Sequence, residues 1–439
     1  MPARVDDLLA SAAFLVAHRG SGDNWPEHTL TAYRNALAAG AAAVEISVRA
    51  TADKVLVCHH DANLERTTGR PGALAELSYA ELSTLRVDAR PWLGEATPLE
   101  PISRVEDVLA ALPVGCLAFV EDKDGTNTMA LLDLLDRQPD ATRRFVWKQW
   151  GPARQVKAAR ERGYRSWGYF TPESIDRVEE FAADHDALGA YVGQDDQTVA
   201  RLVAMGKPVI VWEVHTRQQR DRLRALGVQG LMCSNVPYVS TDRSAASATG
   251  FQTAQRAAGD LPPQPESGWQ GQPALLPGNS RVKLAGPAAT PRYSLGSLAP
   301  ITVDRYRLSV GFDWPGPVAD QARAGISLGL ADDGPYHPAK ANPSGCVQLW
   351  RDGSGAIGLS HQPAGAASGT ELARIQAEPS GALEVGLEVG AGELVLQVGQ
   401  TAARAARPGS LGGYLWLWAE QVGAAGALVG PVSVAASND

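Results

Sequence analysis

Along the first half of this chain, short apolar runs end in polar side chains that could do chemistry. The run from Phe14 ends in His18-Arg19-Gly20. A second carries Glu45-Ile46-Ser47; residues i and i+2 of a strand share a face, so Glu45 and Ser47 point the same way. The next ends in His59-His60-Asp61, and another in Glu121-Asp122-Lys123, with Glu121 and Lys123 again on one face. A late run carries Trp212-Glu213-Val214-His215. Two imidazoles can share general-base and general-acid roles near neutral pH. Arginine and lysine neutralise phosphate oxygens, and carboxylates hold a hard divalent cation. Gathered in one place, these groups suit phosphate chemistry. Each also has a plain structural reading: His59 and His215 read as bystanders or shaping residues, and Trp212 serves equally as a barrel-wall aromatic or a substrate platform.

The elements that must position them alternate in type. Candidate strands are Phe14–His18, Ala43–Val48, Val55–Cys58, Leu117–Glu121, Arg144–Lys148, Ser166–Phe170, Gly189–Val192, Val209–Val214 and Gly230–Cys233. Helical patterns fall between them. From His28 to Ala39, Leu30, Tyr33 and Leu37 share a face before Gly40, and Thr171-Pro172-Glu173 opens a stripe of Ile175, Val178 and Phe181. Apolar strands alternating with amphipathic helices indicate a parallel sheet covered by helices. Eight or nine strands in this length predict a (β/α)8 TIM barrel, whose catalytic groups sit at the C-terminal strand ends. The polar strand ends then converge on one barrel mouth.

Ala17-His18-Arg19-Gly20, Pro26-Glu27-His28-Thr29-Leu30, Gly40, Val44-Glu45-Ile46-Ser47-Val48, Thr51, Asp53, His60-Asp61, Leu64, Arg66-Thr67-Thr68 and Gly69 resemble the glycerophosphodiester phosphodiesterase family. Glu121, Lys123, Trp212, Gly230 and Pro237 look like its later landmarks, so the resemblance covers roughly residues 14–240. It implies a (β/α)8 enzyme that cleaves a small phosphodiester of the glycerophosphodiester or lysophospholipid kind, aided by Mg²⁺ or Ca²⁺. On that resemblance His18 and His60 match the catalytic acid/base pair, and Arg19 and Lys123 match the phosphate-binding cations, with Trp212 beside the substrate. Glu45 and Glu121 match metal carboxylates, and Ser47 stands where the family has a metal-binding aspartate. The family chemistry has a substrate hydroxyl attack phosphorus to give a cyclic phosphate that water opens; an internal nucleophile saves much of the entropy of a bimolecular step. His28 replaces an asparagine, Cys233-Ser234 a Thr-Asp pair, and His215 another asparagine. A hydroxyl is a weaker ligand for a hard dication than a carboxylate, so metal affinity is expected to fall. The alternative is a metal-poor barrel that acts as a phosphodiester lyase or cyclase, or as a non-catalytic phosphate- or polyol-binding module.

Composition bounds the remaining choices. The 439 residues are 44% hydrophobic and 20% charged, which excludes wholesale disorder. A net charge of −8 without a basic block argues against nucleic acid as a partner. No apolar run reaches the roughly 18 residues that span a membrane. Leu8 to Ala17 reads as a first helix plus a first strand. With Cys58, Cys116, Cys233 and Cys346 widely spaced, this favours a cytoplasmic, reducing setting. Charged residues thin from about a quarter of the first half to about one in seven beyond residue 245. The expected organisation is a barrel over 1–243, a Pro/Gly/Ser/Gln-rich linker over 244–280 and an all-β sandwich over 281–439. In the last, Leu383 to Val389 and Leu394 to Val398 alternate as a hairpin around Gly390-Ala391-Gly392. Trp350, Trp416 and Trp418 fit a core as readily as a platform, so this domain is structural, a carbohydrate-binding module or a dimer contact.

Overall fold

The computed structural model describes residues 4–242, 247–249, 274–276, 281–284, 292–334 and 336–437. The chain divides into two compact units, Met1–Ala89 with Pro98–Ser240, and Thr241–Asp439 with Arg90–Thr97.

In the first unit eight parallel strands close on themselves. They are Phe14–Ala17, Ala43–Ala50, Leu117–Asp122, Phe145–Trp150, Arg165–Phe170, Ala187–Tyr191, Val209–Val214 and Gly230–Cys233. The first strand pairs with both the last and the second, which shuts the barrel. Of the nine candidate strands, the one near Val55–Cys58 is not a stave. Leu56–Cys58 runs antiparallel against Ala43–Ala50, with Val48 opposite Cys58. The turn joining them is far shorter than the dozen or so residues a parallel crossover needs.

Strand parity sorts the barrel interior into layers. Phe14, Val16, Ala43, Leu117, Phe119, Val146, Trp167, Ala187, Ile210 and Met232 form one buried apolar cluster, joined by Val5, Leu8 and Leu9 of the helix Val5–Leu9. Gly189 makes room for the Trp167 ring; a Cβ there would lie 2.4 Å from its Nε1. Two residues further along the same inward-facing series stand His18, Glu45, Glu121, Lys148, Tyr169, Trp212 and Ser234. An apolar floor therefore gives way to a polar layer at the C-terminal strand ends, where barrel chemistry belongs.

The helix after the first strand spans Leu30–Ala38, shorter than the expected 28–39. Thr29 caps it by accepting from the Ala32 N–H, which stops it short of His28. Its buried face is Ala32, Tyr33 and Ala36, with Leu30 and Leu37 only half-buried. The Thr171-Pro172-Glu173 start yields a 3-10 turn at Ile175–Arg177 followed by a helix at Val178–Phe181. Among the described residues no helix is long and apolar enough to cross a membrane.

The second unit is built of antiparallel sheets. Leu383–Val389 and Glu393–Val398 form the expected hairpin, with Val389 opposite Leu394. Val385, Leu387, Leu394 and Leu396 share one apolar core with Ile326, Leu328, Leu349, Leu415 and Leu417 of the other large sheet. Trp350, Trp416 and Trp418 are all buried. Trp418 donates to Ser327 and Trp350 to Ser360. Most of the expected 244–280 linker lies outside the described residues. Of its described parts, Ser247–Thr249 pairs with the strand Ala427–Ala436, and Ala274–Leu276 pairs with Arg281–Leu284.

Candidate active site

The first strand stops at Ala17, and His18–Gly20 form a single 3-10 turn. Arg19 holds φ 52° and Gly20 φ 83°, a left-handed excursion that costs least at glycine. That turn aims the Arg19 N–H at Glu45 Oε2, 2.9 Å away. His18 Nδ1 lies 3.0 Å from Ser234 Oγ and 3.8 Å from Glu213 Oε1. Burial, followed by the Arg19 charge, holds the His18 imidazole well below its usual pKa.

His60 is fixed by a chain of charges. Its Nδ1 is 2.7 Å from Asp61 Oδ1, and Asp61 Oδ2 accepts from Arg66 Nε at 2.6 Å. Arg66 also grips Glu27 with two bonds of 2.8 and 2.6 Å, the fork geometry of a guanidinium on a carboxylate. Asp61 favours the tautomer with the proton on His60 Nδ1, leaving Nε2 as acceptor. Burial and the Arg19 charge bring the His60 pKa down to about 4. Because Arg66 satisfies Glu27 fully, Arg19 keeps only 3.5 Å contacts with it. The Arg19 Nε is buried and has no hydrogen-bond partner.

The three residues matched to metal ligands lie together, and a lysine stands among them. Lys148 Nζ donates to Glu45 Oε1 at 2.8 Å and to Glu121 Oε2 at 2.5 Å. Ser47 donates to Glu45 Oε1 at 2.8 Å, Tyr169 OH donates to Glu121 Oε1 at 2.6 Å, and Lys123 Nζ sits 3.3 Å from Glu121 Oε2. Burial pushes the Glu121 carboxyl up, but the two ammoniums outweigh it and hold it at about 2. Glu45 is likewise held well below the carboxylate range, Lys148 overcoming its burial. Lys148 is raised in return by Glu121 and Glu45, against the effect of burial.

This donor set does not fit a hard dication. Calcium takes six to eight oxygens and magnesium a near-octahedral six, yet all four oxygens of Glu45 and Glu121 already accept hydrogen bonds, and an ammonium fills the space between them. Among the described residues no group of three or more His, Cys, Asp or Glu is arranged to hold a metal ion.

Trp212 stands in an aromatic wall, its ring centroid 5.2 Å from Tyr169, 6.1 Å from Trp167 and 6.2 Å from Tyr191. His215 Nδ1 lies 2.6 Å from Asp23 Oδ2, and the Asp23 charge overcomes burial to raise its pKa to about 9. His28 is buried against Tyr33 OH at 2.8 Å, and burial lowers its pKa to about 3. His59 bonds Asp61 O and Thr67 Oγ1, a shaping role.

The structure thus brings His18, Arg19, Glu45, Ser47, His60, Glu121, Lys123 and Trp212 to one mouth. Sequence reasoning missed Lys148, Tyr169 and Asp23. Lys148 was within reach of it, two residues past inward-facing Val146 on a candidate strand.

Residues 18–137 match the model of the Glycerophosphoryl diester phosphodiesterase family. That segment is similar to this family. A probable glycerophosphodiester phosphodiesterase 1 of Mycobacterium tuberculosis is 46% identical over 84 residues, 19% of this chain and 31% of its own length. A glycerophosphodiester phosphodiesterase of Bacillus altitudinis is 39% identical over 95 residues, 22% of this chain and 38% of its own length. The chain therefore spans about a third of the curated relatives it matches. Among solved structures, a putative glycerophosphoryl diester phosphodiesterase from Silicibacter pomeroyi covers 53% of this chain and 93% of itself, at 21% identity and TM-score 0.46. A phosphodiesterase from Oleispira antarctica, in complex with the product sn-glycerol-3-phosphate, covers 52% of this chain and 95% of itself, at 20% identity and TM-score 0.45.

Proposed function

We propose that the barrel is a phosphodiesterase that cleaves a glycerophosphodiester-like or lysophospholipid-like substrate by acid–base catalysis between His18 and His60. The observation that carries this reading is the polar layer at the C-terminal strand ends, where the Arg19 N–H meets Glu45, Lys123 stands beside Glu121, and the His18 and His60 imidazoles are each held at Nδ1, by Ser234 and by Asp61.

The phosphodiester anion sits against Arg19 and Lys123. Arg19 is suited to this because its guanidinium is only loosely engaged with Glu27. Burial is the main cause of the lowered imidazole pKa values, and an anion there offsets the Arg19 charge that adds to it, raising them toward the working range. His60, steered through Nδ1 by Asp61, takes the proton of the attacking hydroxyl at Nε2. His18, oriented by Ser234, returns a proton to the departing alkoxide. The roles reverse when water opens the cyclic phosphate. Trp212 and Tyr191 line the approach for the alcohol portion.

The four cysteines are free and buried, which supports a reducing, cytoplasmic setting. The test is a panel of glycerophosphodiesters, lysophospholipids and cyclic phosphodiesters, with His18→Ala and His60→Ala as variants. Each variant is expected to lose turnover by at least ~10²-fold while keeping its fold. Full activity in both, on a substrate the native chain cleaves, refutes the reading.

A further inference from the structure

A cationic group already occupies the place where the family resemblance puts a metal ion. Lys148, on the fourth barrel strand, reaches Glu45 on the second and Glu121 on the third with bonds of 2.8 and 2.5 Å. Its ammonium also sits 5.3 Å from the Tyr169 ring centroid and 5.9 Å from that of Trp167. Two carboxylates and two aromatic faces make a buried cage suited to an ammonium, which gains from ring faces. A hydrated dication demands more oxygens than this cage offers.

The charge balance points the same way. Relative to the family pattern, Ser47 in place of an aspartate removes one negative charge. An ammonium in place of a dication removes one positive charge. The two changes cancel, so the field that Arg19 and Lys123 present to an anion is preserved.

We propose that the Lys148 ammonium is the built-in cation of this site, clamping Glu45 and Glu121 where relatives would use a divalent ion, so that the barrel needs no metal. Lys148 is a positioning residue: it holds Glu45, whose other oxygen fixes the Arg19 backbone, and Glu121, beside Lys123. The claim about metal binding stands by itself; only its consequence for turnover rests on the phosphodiesterase reading.

The experiment is calorimetric titration of the full chain, stripped of metal, with Mg²⁺ and with Ca²⁺ into the millimolar range. The native chain is expected to show no saturable heat, and excess EDTA is expected to leave its melting temperature unchanged and any turnover within twofold. The Ser47→Asp/Lys148→Gln variant restores an acid and removes the ammonium. It is expected to bind one ion saturably, and Ca²⁺ at a hundredfold excess over Kd to raise its melting temperature by about 5 °C. Saturable binding to the native chain that Glu45→Gln or Glu121→Gln weakens tenfold overturns the proposal. So does a folded double variant that binds no ion. The native-chain titration decides the matter even where the double variant does not fold, and it does so independently of any search for substrate.

Discussion

Replacing Lys148 by methionine keeps its length and removes its charge, so it isolates what the ammonium does for the barrel. Lys148 is 5% exposed, Glu45 is fully buried and Glu121 is 3% exposed. Deleting one partner of a buried ion pair costs about 3–5 kcal/mol, because the other charge is left uncompensated. Here Glu121 keeps Lys123 and Tyr169, and Glu45 keeps Ser47 and the Arg19 N–H. The lower end, about 3 kcal/mol near pH 7, is therefore expected. The sign of the pH dependence follows from Glu121, held at about 2 in the native chain. A depressed carboxylate stabilises the fold above its unfolded pKa, and that contribution fades as pH falls toward the folded value. Without Lys148 the carboxylates take up protons readily, so the gap between native and variant should narrow on going from pH 7 to about pH 4. Urea titration followed by tryptophan fluorescence at both pH values measures it. Adding Glu45→Gln and Glu121→Gln to the Lys148→Met chain should recover about 2 kcal/mol by removing the stranded charges. A single variant within about 0.5 kcal/mol of native near pH 7, or an equal gap at both pH values, refutes the reasoning.

Two further outcomes are expected. His215, raised to about 9 beside Asp23, contributes stability that is fully present below its unfolded pKa near 6.5 and is lost as pH rises through 9, amounting to about 2–3 kcal/mol. In Asp23→Asn burial outweighs what is left on the ring, with Glu213 raising and Arg19 lowering its pKa, so the pKa should fall below 6.5; NMR titration of the imidazole protons decides it, and a native ring titrating near 6.5 would sink the pairing. Gly20→Ala forces a Cβ to 2.8 Å from that of Ala32 at φ +83°. It should cost about 2–4 kcal/mol in a denaturant titration and disturb the His18–Arg19 turn, and an unchanged midpoint would remove that turn from the account.

The barrel and most of its mouth were legible because a strand has a period of two. From Glu45 and Ser47, or Glu121 and Lys123, direction follows from spacing alone. The same parity would have excluded nothing at Leu56–Cys58, where only the shortness of the connecting turn rules out a parallel stave. What spacing cannot supply is the partner. Arg66 reaches Glu27 across 39 residues of chain and so joins it to Asp61, and its sequence shows only an arginine before two threonines. Lys148 is the sharper case. Val146-Trp147-Lys148 reads as the end of an apolar strand, and parity from Val146 aims the lysine inward. The decisive fact is its reach across two neighbouring strands to Glu45, 103 residues away in sequence. Nothing at position 148 names that contact, but Ser47 hints at it. A buried site that loses a carboxylate where a dication is expected must lose positive charge as well or carry a surplus. The balancing cation had to come from an inward-facing position on the strands beside Glu45 and Glu121, and Lys148 fills that requirement.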